Sequence, residues 1–231
     1  MSGLEENGFA IIPKVINDVT VAALLDALAS VRLHDAVKQR AGRAFGIRRL
    51  LELVPATREL ADSQPLRALV DPVLGKNAKV VRGIFFDKTP VANWKVPWHQ
   101  DTMIAVRARQ DVTDFSAWSV KAGVVHVQPP IAILAGILAV RLHLDDTDET
   151  NGALRVIPGS HLHGLLEDDA IQQWKEQGKA VTCSVPRGGA LLMRPLLLHA
   201  SSVATQPRHR RVLHLEYSAL DLPERLEWYG S

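Results

Sequence analysis

The chain has 231 residues, of which 47% are hydrophobic and 23% charged, which excludes a disordered or low-complexity protein and allows one core of useful size. Lys and Arg total 27 against 25 for Asp and Glu, and a net charge of +2 is too small for the basic footprint of a nucleic-acid-binding protein. Cys183 is the one cysteine, so an intrachain disulfide and a thiolate-rich metal cage are both excluded.

The opening Met1-Ser-Gly-Leu-Glu-Glu has no basic stretch leading into an apolar core, and the longest apolar run, Ile131 to Val140, falls short of the roughly 20 residues that span a bilayer. The expectation is a cytoplasmic protein with no membrane partner, folded as a single domain over 1–231. Phe9-Ala-Ile-Ile reads as a short strand. Asn17, Asp18 and Thr20 offer caps to a helix carrying Val21, Leu24, Leu25, Leu28 and Val31 at helical spacing. Leu50 to Val54 and Leu60 to Val70 continue in that manner, so 1–78 reads as a mostly helical support.

From residue 79 the pattern turns to short β-type runs: Val80 to Phe86, Ala139 to Leu144, Leu154 to Ile157, Val181 to Val185, Ala190 to Met193, Leu196 to His199 and Val212 to Tyr217. Asn151-Gly152 predicts a hairpin, because a type I′ turn needs positive φ at both central residues. Arg187-Gly188-Gly189 predicts a second sharp turn. Together these predict a mainly β protein, a jelly-roll core over 79–219 packed by N-terminal helices. Thr102 to Gly136 shows no clear periodicity, and a loop that long inside a compact domain is a candidate lid or insert.

His99-Gln100-Asp101 places an imidazole and a carboxylate at i and i+2, which on an extended strand is one face. His199, read as the end of the apolar strand Leu196-Leu-Leu, is the best candidate for a third ligand. Two His and one carboxylate make the facial triad of non-haem Fe(II) oxygenases, with open positions for co-substrate and oxygen. A zinc hydrolase on a jelly roll could use the same set around a bound water, and a non-catalytic cupin-like binding module is the third reading.

Trp98-His99-Gln100-Asp101, Leu144-Asp145-Asp146, Asn151-Gly152-Ala153-Leu154, Ile157-Pro158-Gly159-Ser160-His161, then His199 and Arg210-Arg211-Val212-Leu213 resemble, in order and spacing, the phytanoyl-CoA dioxygenase family. Glu6-Asn7-Gly8-Phe9 and Phe86-Asp87-Lys88-Thr89-Pro90 extend the likeness over nearly the whole chain. The resemblance implies a double-stranded β-helix that binds Fe(II) and 2-oxoglutarate and uses O2, with ascorbate as a candidate reductant. It implies His99, Asp101 and His199 as the metal ligands and catalytic centre. It implies Arg210, or the adjacent Arg211, as the arginine that holds 2-oxoglutarate, a role suited to a planar guanidinium. Ser201 and Lys88 are further candidates for the co-substrate pocket.

Relatives that halogenate lack the carboxylate ligand, so Asp101 points to hydroxylation of a small organic metabolite with release of succinate and CO2. Trp118, Lys121, His126 and Gln128, in the 102–136 segment, mix apolar surface with polar handles and are the candidates for binding substrate. Lys121 with Arg107 and Arg109 hints at an anionic substrate. His143, His161 and His214 are expected to pack and hydrogen-bond rather than ligate. A nucleic-acid demethylase on this fold is disfavoured by the near-neutral charge.

Overall fold

The computed structural model describes residues 3–31, 36–40 and 43–230. A short α1 (Gly3–Asn7) leads into β1 (Phe9–Ile12), and α2 (Asp18–Ala29) starts at Asn17, whose side chain accepts from the Thr20 N–H as the sequence predicts. A hairpin of β2 (Val37–Arg40) and β3 (Arg43–Ile47) follows, then α3 (Leu50–Leu53), α4 (Pro55–Ala61) and α5 (Gln64–Leu74). The rest of the chain is mainly strand: β4 (Lys79–Lys88), β5 (Val96–His99), β6 (Ile104–Val106), β7 (Ser116–Lys121), β8 (Val124–Gln128), α6 (Ile131–Ala135) and β9 (Ile137–His143). Next come β10 (Leu154–Val156), α7 (Asp168–Gln177), β11 (Val181–Cys183), β12 (Ala190–Met193), β13 (His199–Ser201) and β14 (Arg210–Ser218). Among the described residues, no helix is long and apolar enough to cross a membrane.

The strands form a seven-stranded antiparallel sheet in the order β1-β12-β9-β14-β4-β3-β2 and a four-stranded sheet β11-β10-β13-β5. These are the two layers of a double-stranded β-helix. Period-two alternation on the central strands of the large sheet decides what lies on each side. Leu138, Val140 and Leu142 of β9 and Leu213, Leu215 and Tyr217 of β14 are buried in one cluster with Val21 and Leu24 of α2, Leu50 of α3, Leu60 of α4 and Leu66 of α5. Alternate positions carry Arg141 and His143 on β9 and Arg210, His214 and Glu216 on β14, all buried within the β-helix. The Tyr217 hydroxyl donates to Ala61 O at 3.1 Å and ties the sheet to α4. Gly83 permits the closest approach of helix and sheet, since a Cβ there would meet Leu51 Cγ at 2.8 Å.

Beside their helices the first 78 residues contribute three strands to the large sheet: β1, which the sequence predicts, at one edge, and β2 and β3, which it does not, at the other. Three expectations are corrected. Leu196–Leu198 is a turn and not a strand, so His199 begins β13 instead of ending a longer run. Asn151-Gly152 makes no hairpin: Glu149–Asn151 is a 3-10 turn capped by Asp148, and only Gly152 has positive φ. The Asn151 side chain bonds Asp148 N at 2.9 Å and Asp146 O at 2.8 Å, which holds its own backbone out of the left-handed region. Residues 102–136 are ordered as a three-stranded sheet, β6-β8-β7, followed by α6, and the tight β7–β8 turn is made by Ala122 and Gly123 at φ 54° and 76°.

Candidate metal centre

β5 and β13 are neighbours in the small sheet, and their register sets His99 directly opposite His199. The two imidazoles lie side by side with centroids 4.2 Å apart. Asp101 is two residues past the end of β5, where its N–H donates to Pro195 O at 2.9 Å. Its carboxylate reaches between the rings, 3.6 Å from His99 Nε2 through one oxygen and 3.6 Å from His199 Nε2 through the other. Each ring commits Nδ1 to the carbonyl two residues upstream: His99 to Pro97 O at 2.9 Å and His199 to Leu197 O at 2.8 Å. Nε2 of each ring thereby faces the carboxylate, and it is the nitrogen that offers its lone pair to a metal once the ring is neutral.

Gln100, between the ligands, faces the other way and is buried. Its amide donates to Leu196 O at 2.7 Å and Gly164 O at 2.8 Å and accepts from Leu166 N at 2.8 Å. One side chain therefore pins the ligand-bearing end of β5 to the turn that delivers His199. Ser160 helps on the same turn, accepting from Leu198 N at 2.8 Å, while His161 bonds Glu5 O at 3.0 Å as a structural histidine.

Burial opposes charge on Asp101, but the surrounding imidazoles of His199, His99 and His214 hold its carboxyl well below the usual carboxylate range. Burial pushes His199 down to about 4 against the pull of Asp101. His199 is 4% exposed, whereas His99 and Asp101 are 37% and 33% exposed, so the ligand set opens on one side.

That side is a cavity of about 190 Å3, whose wall includes His99, Asp101 and His199 together with Ser201 and Arg210. Lys88 Nζ donates to Ser201 Oγ at 2.7 Å and to Ser202 O, and Arg210 Nη1 donates to Gly152 O. Gly152 stands at φ 79°, and a Cβ there would meet Ser202 O at 2.8 Å and Lys88 Nζ at 2.9 Å, so glycine keeps this corner open. No carboxylate pairs with Lys88 or Arg210 among the described residues, and the buried Arg210 Nε and Arg141 Nε have no hydrogen-bond partner. Burial followed by the charge of Arg210 lowers Lys88 to about 7, and burial followed by Arg141 lowers Arg210 to about 9. Three buried cations, two of them with an orphaned donor, make a pocket for an anion. Arg211 points away and makes a two-pronged pair with Asp145, at 2.8 and 2.7 Å.

The candidate substrate residues of the 102–136 segment are not brought to this cavity. Trp118 is partly buried on an apolar cluster with Phe115 and Trp228 and stacks under Arg109 at 5.5 Å. Lys121 is exposed at the β7–β8 turn, and Gln128 lies opposite Ser116 at the far end of that hairpin. Their sheet spends its apolar side chains on packing, which turns these three residues away. His126 alone touches the wall, through Arg82 at 3.4 Å.

Sequence reading missed Arg48, Arg82, Arg141 and Glu216, all of which line the cavity. His214 joins them, bridging Arg141 Nη1 at 3.0 Å and Glu216 Oε1 at 3.0 Å, and so hydrogen-bonds as expected. A charged residue at alternate positions of an otherwise apolar strand was the available signal: Val80-Val-Arg-Gly-Ile, Ala139-Val-Arg-Leu and Leu215-Glu-Tyr.

Comparison with known proteins agrees with this geometry. The family model described as phytanoyl-CoA dioxygenase (PhyH) matches residues 4–212. Ectoine dioxygenase of Bordetella bronchiseptica is 22% identical over 94% of this chain and 73% of its own length. L-proline trans-4-hydroxylase of Streptomyces griseoviridis is 27% identical over 53% of this chain and 47% of its own. Among solved structures, EctD from S. alaskensis with 2-oxoglutarate and 5-hydroxyectoine superposes with a TM-score of 0.72 at 18% identity, covering 100% of this chain and 78% of that one. The fold, the two-histidine, one-carboxylate set and the family match converge, and the chain belongs to the phytanoyl-CoA dioxygenase family of Fe(II)- and 2-oxoglutarate-dependent oxygenases.

Proposed function

We propose that this protein hydroxylates a small organic molecule, with His99, Asp101 and His199 holding Fe(II) and Lys88, Ser201 and Arg210 holding the distal carboxylate of 2-oxoglutarate. The observation that carries the reading is the pairing of two sites in one cavity: three preset ligand atoms within 4.8 Å of one another, and beside them buried cations with orphaned donors. A hydrolase or a simple metal-binding module leaves those cations without a purpose. Iron with 2-oxoglutarate and O2 supplies the oxidising power, so that substrate R–H, O2 and 2-oxoglutarate become R–OH, succinate and CO2.

The chain's own residues do the rest. The carbonyls of Pro97 and Leu197 hold both imidazoles as Nε2 donors. Asp101 would supply the carboxylate ligand that halogenating relatives lack, which supports hydroxylation. Ile84, Phe86 and Leu154 give the cavity apolar wall against which a C–H bond can be held away from water. The test is succinate release from 2-oxoglutarate in the presence of Fe(II), O2 and a metabolite library. Substrate-stimulated succinate matched by a hydroxylated product supports the reading; an activity that persists without iron or oxygen overturns it.

A further inference from the structure

The cavity has two cationic ends, and the proposed function uses only one. On β4 the positions Arg82, Ile84, Phe86 and Lys88 alternate on one face, and β14 answers in register with Glu216, His214, Val212 and Arg210. Lys88 and Arg210 close the end next to Ser201 and Gly152. Arg82 stands six residues along the strand, roughly 20 Å away at about 3.3 Å per residue. Asp101 feels the charges of His214 and Arg141, so the ligand set faces the middle rungs.

At the Arg82 end the charges do not balance. Two carboxylates line the cavity, Asp101 and Glu216, and both are engaged: Asp101 lies between the ligand imidazoles, and Glu216 holds Arg82 at 3.1 Å and His214 at 3.0 Å. Arg48, next to Arg82, makes no side-chain hydrogen bond or ion pair among the described residues. A substrate ammonium finds no free carboxylate here, whereas an anion finds a guanidinium. Because Glu216 already compensates Arg82, this end offers one uncompensated charge, which matches a carboxylate better than a phosphate dianion.

The room for the rest of the molecule is mainly apolar: Arg48 apart, its polar lining is Asn93 and the exposed Lys38. A groove of about 440 Å3 opens off the cavity at Arg48, Ile84, Phe86 and Trp94, and Phe45 forms its far wall with its ring 5.8 Å from that of Trp94. The chain has five Phe and five Trp, and three of these ten face the groove. Ringed walls of this kind favour flat apolar groups.

We propose, building on the function above, that the substrate is a small monocarboxylate with a flat apolar body: the carboxylate binds Arg48, the body lies between Phe45, Phe86 and Trp94, and a carbon between the two reaches the metal ligands. This differs from the compact zwitterions named for two of the relatives, ectoine and proline.

The test uses the full chain loaded anaerobically with Fe(II) and 2-oxoglutarate. Arylalkanoic acids with one to four spacer carbons are titrated by calorimetry, each beside its primary amide and the corresponding amine. The expected result is an acid that binds at least about tenfold more tightly than its amide, with no measurable binding of the amine. Arg48→Gln brings acid and amide within about threefold, Arg48→Lys keeps part of the preference, and Trp94→Leu weakens both alike. Equal binding of acid and amide overturns the proposal, as does tighter binding of the amine or failure of every acid to bind while iron and 2-oxoglutarate are held. If iron and 2-oxoglutarate themselves fail to bind, the function proposed above falls, and this inference with it.

Discussion

Arg210→Ala removes a guanidinium that is 4% exposed and shares its surroundings with Arg141 and Lys88, so its effects on affinity and on stability separate. The loss of a desolvated charge-assisted pair costs about 2–5 kcal/mol. At about 1.4 kcal/mol per tenfold, that is roughly 30-fold to a few thousand-fold in 2-oxoglutarate affinity. Lys88 and Ser201 remain in place, which points to the lower part of that range. Folding of the ligand-free protein responds differently. The bond to Gly152 O is lost, at a net cost of about 1 kcal/mol, but repulsion from two neighbouring buried cations is relieved. The ligand-free variant is expected to unfold within about 1 kcal/mol of wild type. Calorimetric titration of 2-oxoglutarate, with urea denaturation in its absence and presence, reads both quantities. Arg211→Ala is the control: it breaks the Asp145 pair and lowers stability while leaving affinity intact. An Arg210→Ala protein with wild-type affinity, or an Arg211→Ala protein that loses it, refutes the reasoning.

Alanine at His99, Asp101 or His199 is expected to abolish stoichiometric Fe(II) binding while the circular dichroism spectrum and unfolding transition persist, and full metal occupancy in any of the three refutes the ligand set. Lys88 stands at about 7 when folded against 10.5 in the unfolded chain, so between those values the unfolded state binds more protons and ligand-free stability rises with pH, the gain vanishing below pH 7. The 2-oxoglutarate anion favours the ammonium, so its affinity falls as pH rises above about 7, and Lys88→Met flattens both profiles. Gln100→Leu strands the Leu166 N–H and the carbonyls of Gly164 and Leu196, costing about 2–3 kcal/mol in urea unfolding and weakening metal binding through a displaced β5 end. Trp118→Ala, outside the cavity, is expected to leave the ratio of product to succinate unchanged, which mass spectrometry of a coupled turnover measures.

The two-residue spacing of His99 and Asp101 was legible because it needs only an extended backbone. Their meeting with His199 was legible through the family resemblance and not from strand pattern, since it depends on the register of two short strands, and a three-residue strand such as β13 carries too little periodicity to announce itself. The hairpin signal failed for a related reason. Asn-Gly is read as a turn because both residues tolerate positive φ, yet at Asn151 the side chain found backbone partners in Asp146 and Asp148 and stabilised a 3-10 turn instead. Ala122-Gly123, with a residue that disfavours the left-handed region, makes the tight turn because β7 and β8 pair on either side of it.

The cavity wall shows what a single-strand reading leaves out. Arg82, Arg141 and Glu216 each interrupt an apolar run, and alone each reads as a solvated charge in an edge strand. The large sheet buries Arg141 and Glu216 and leaves Arg82 only partly exposed, because β4, β14 and β9 lie side by side and their opposite faces are covered by α3, α4 and α5. Once covered on that side, a strand can carry a charge on the other only where a partner or a ligand awaits it. Glu216 answers for Arg82 and His214 lies against Arg141, which leaves Arg210, Lys88 and Arg48 without an ion pair among the described residues, although the charge of Asp87 reaches Arg210. The imbalance is what ties fold to function here: a double-stranded β-helix that holds unpaired cations at both ends of one cavity, buried at Lys88 and Arg210 and half-buried at Arg48, is most stable when anions occupy it, so each anion that binds should raise the unfolding temperature separately, and both together should raise it most.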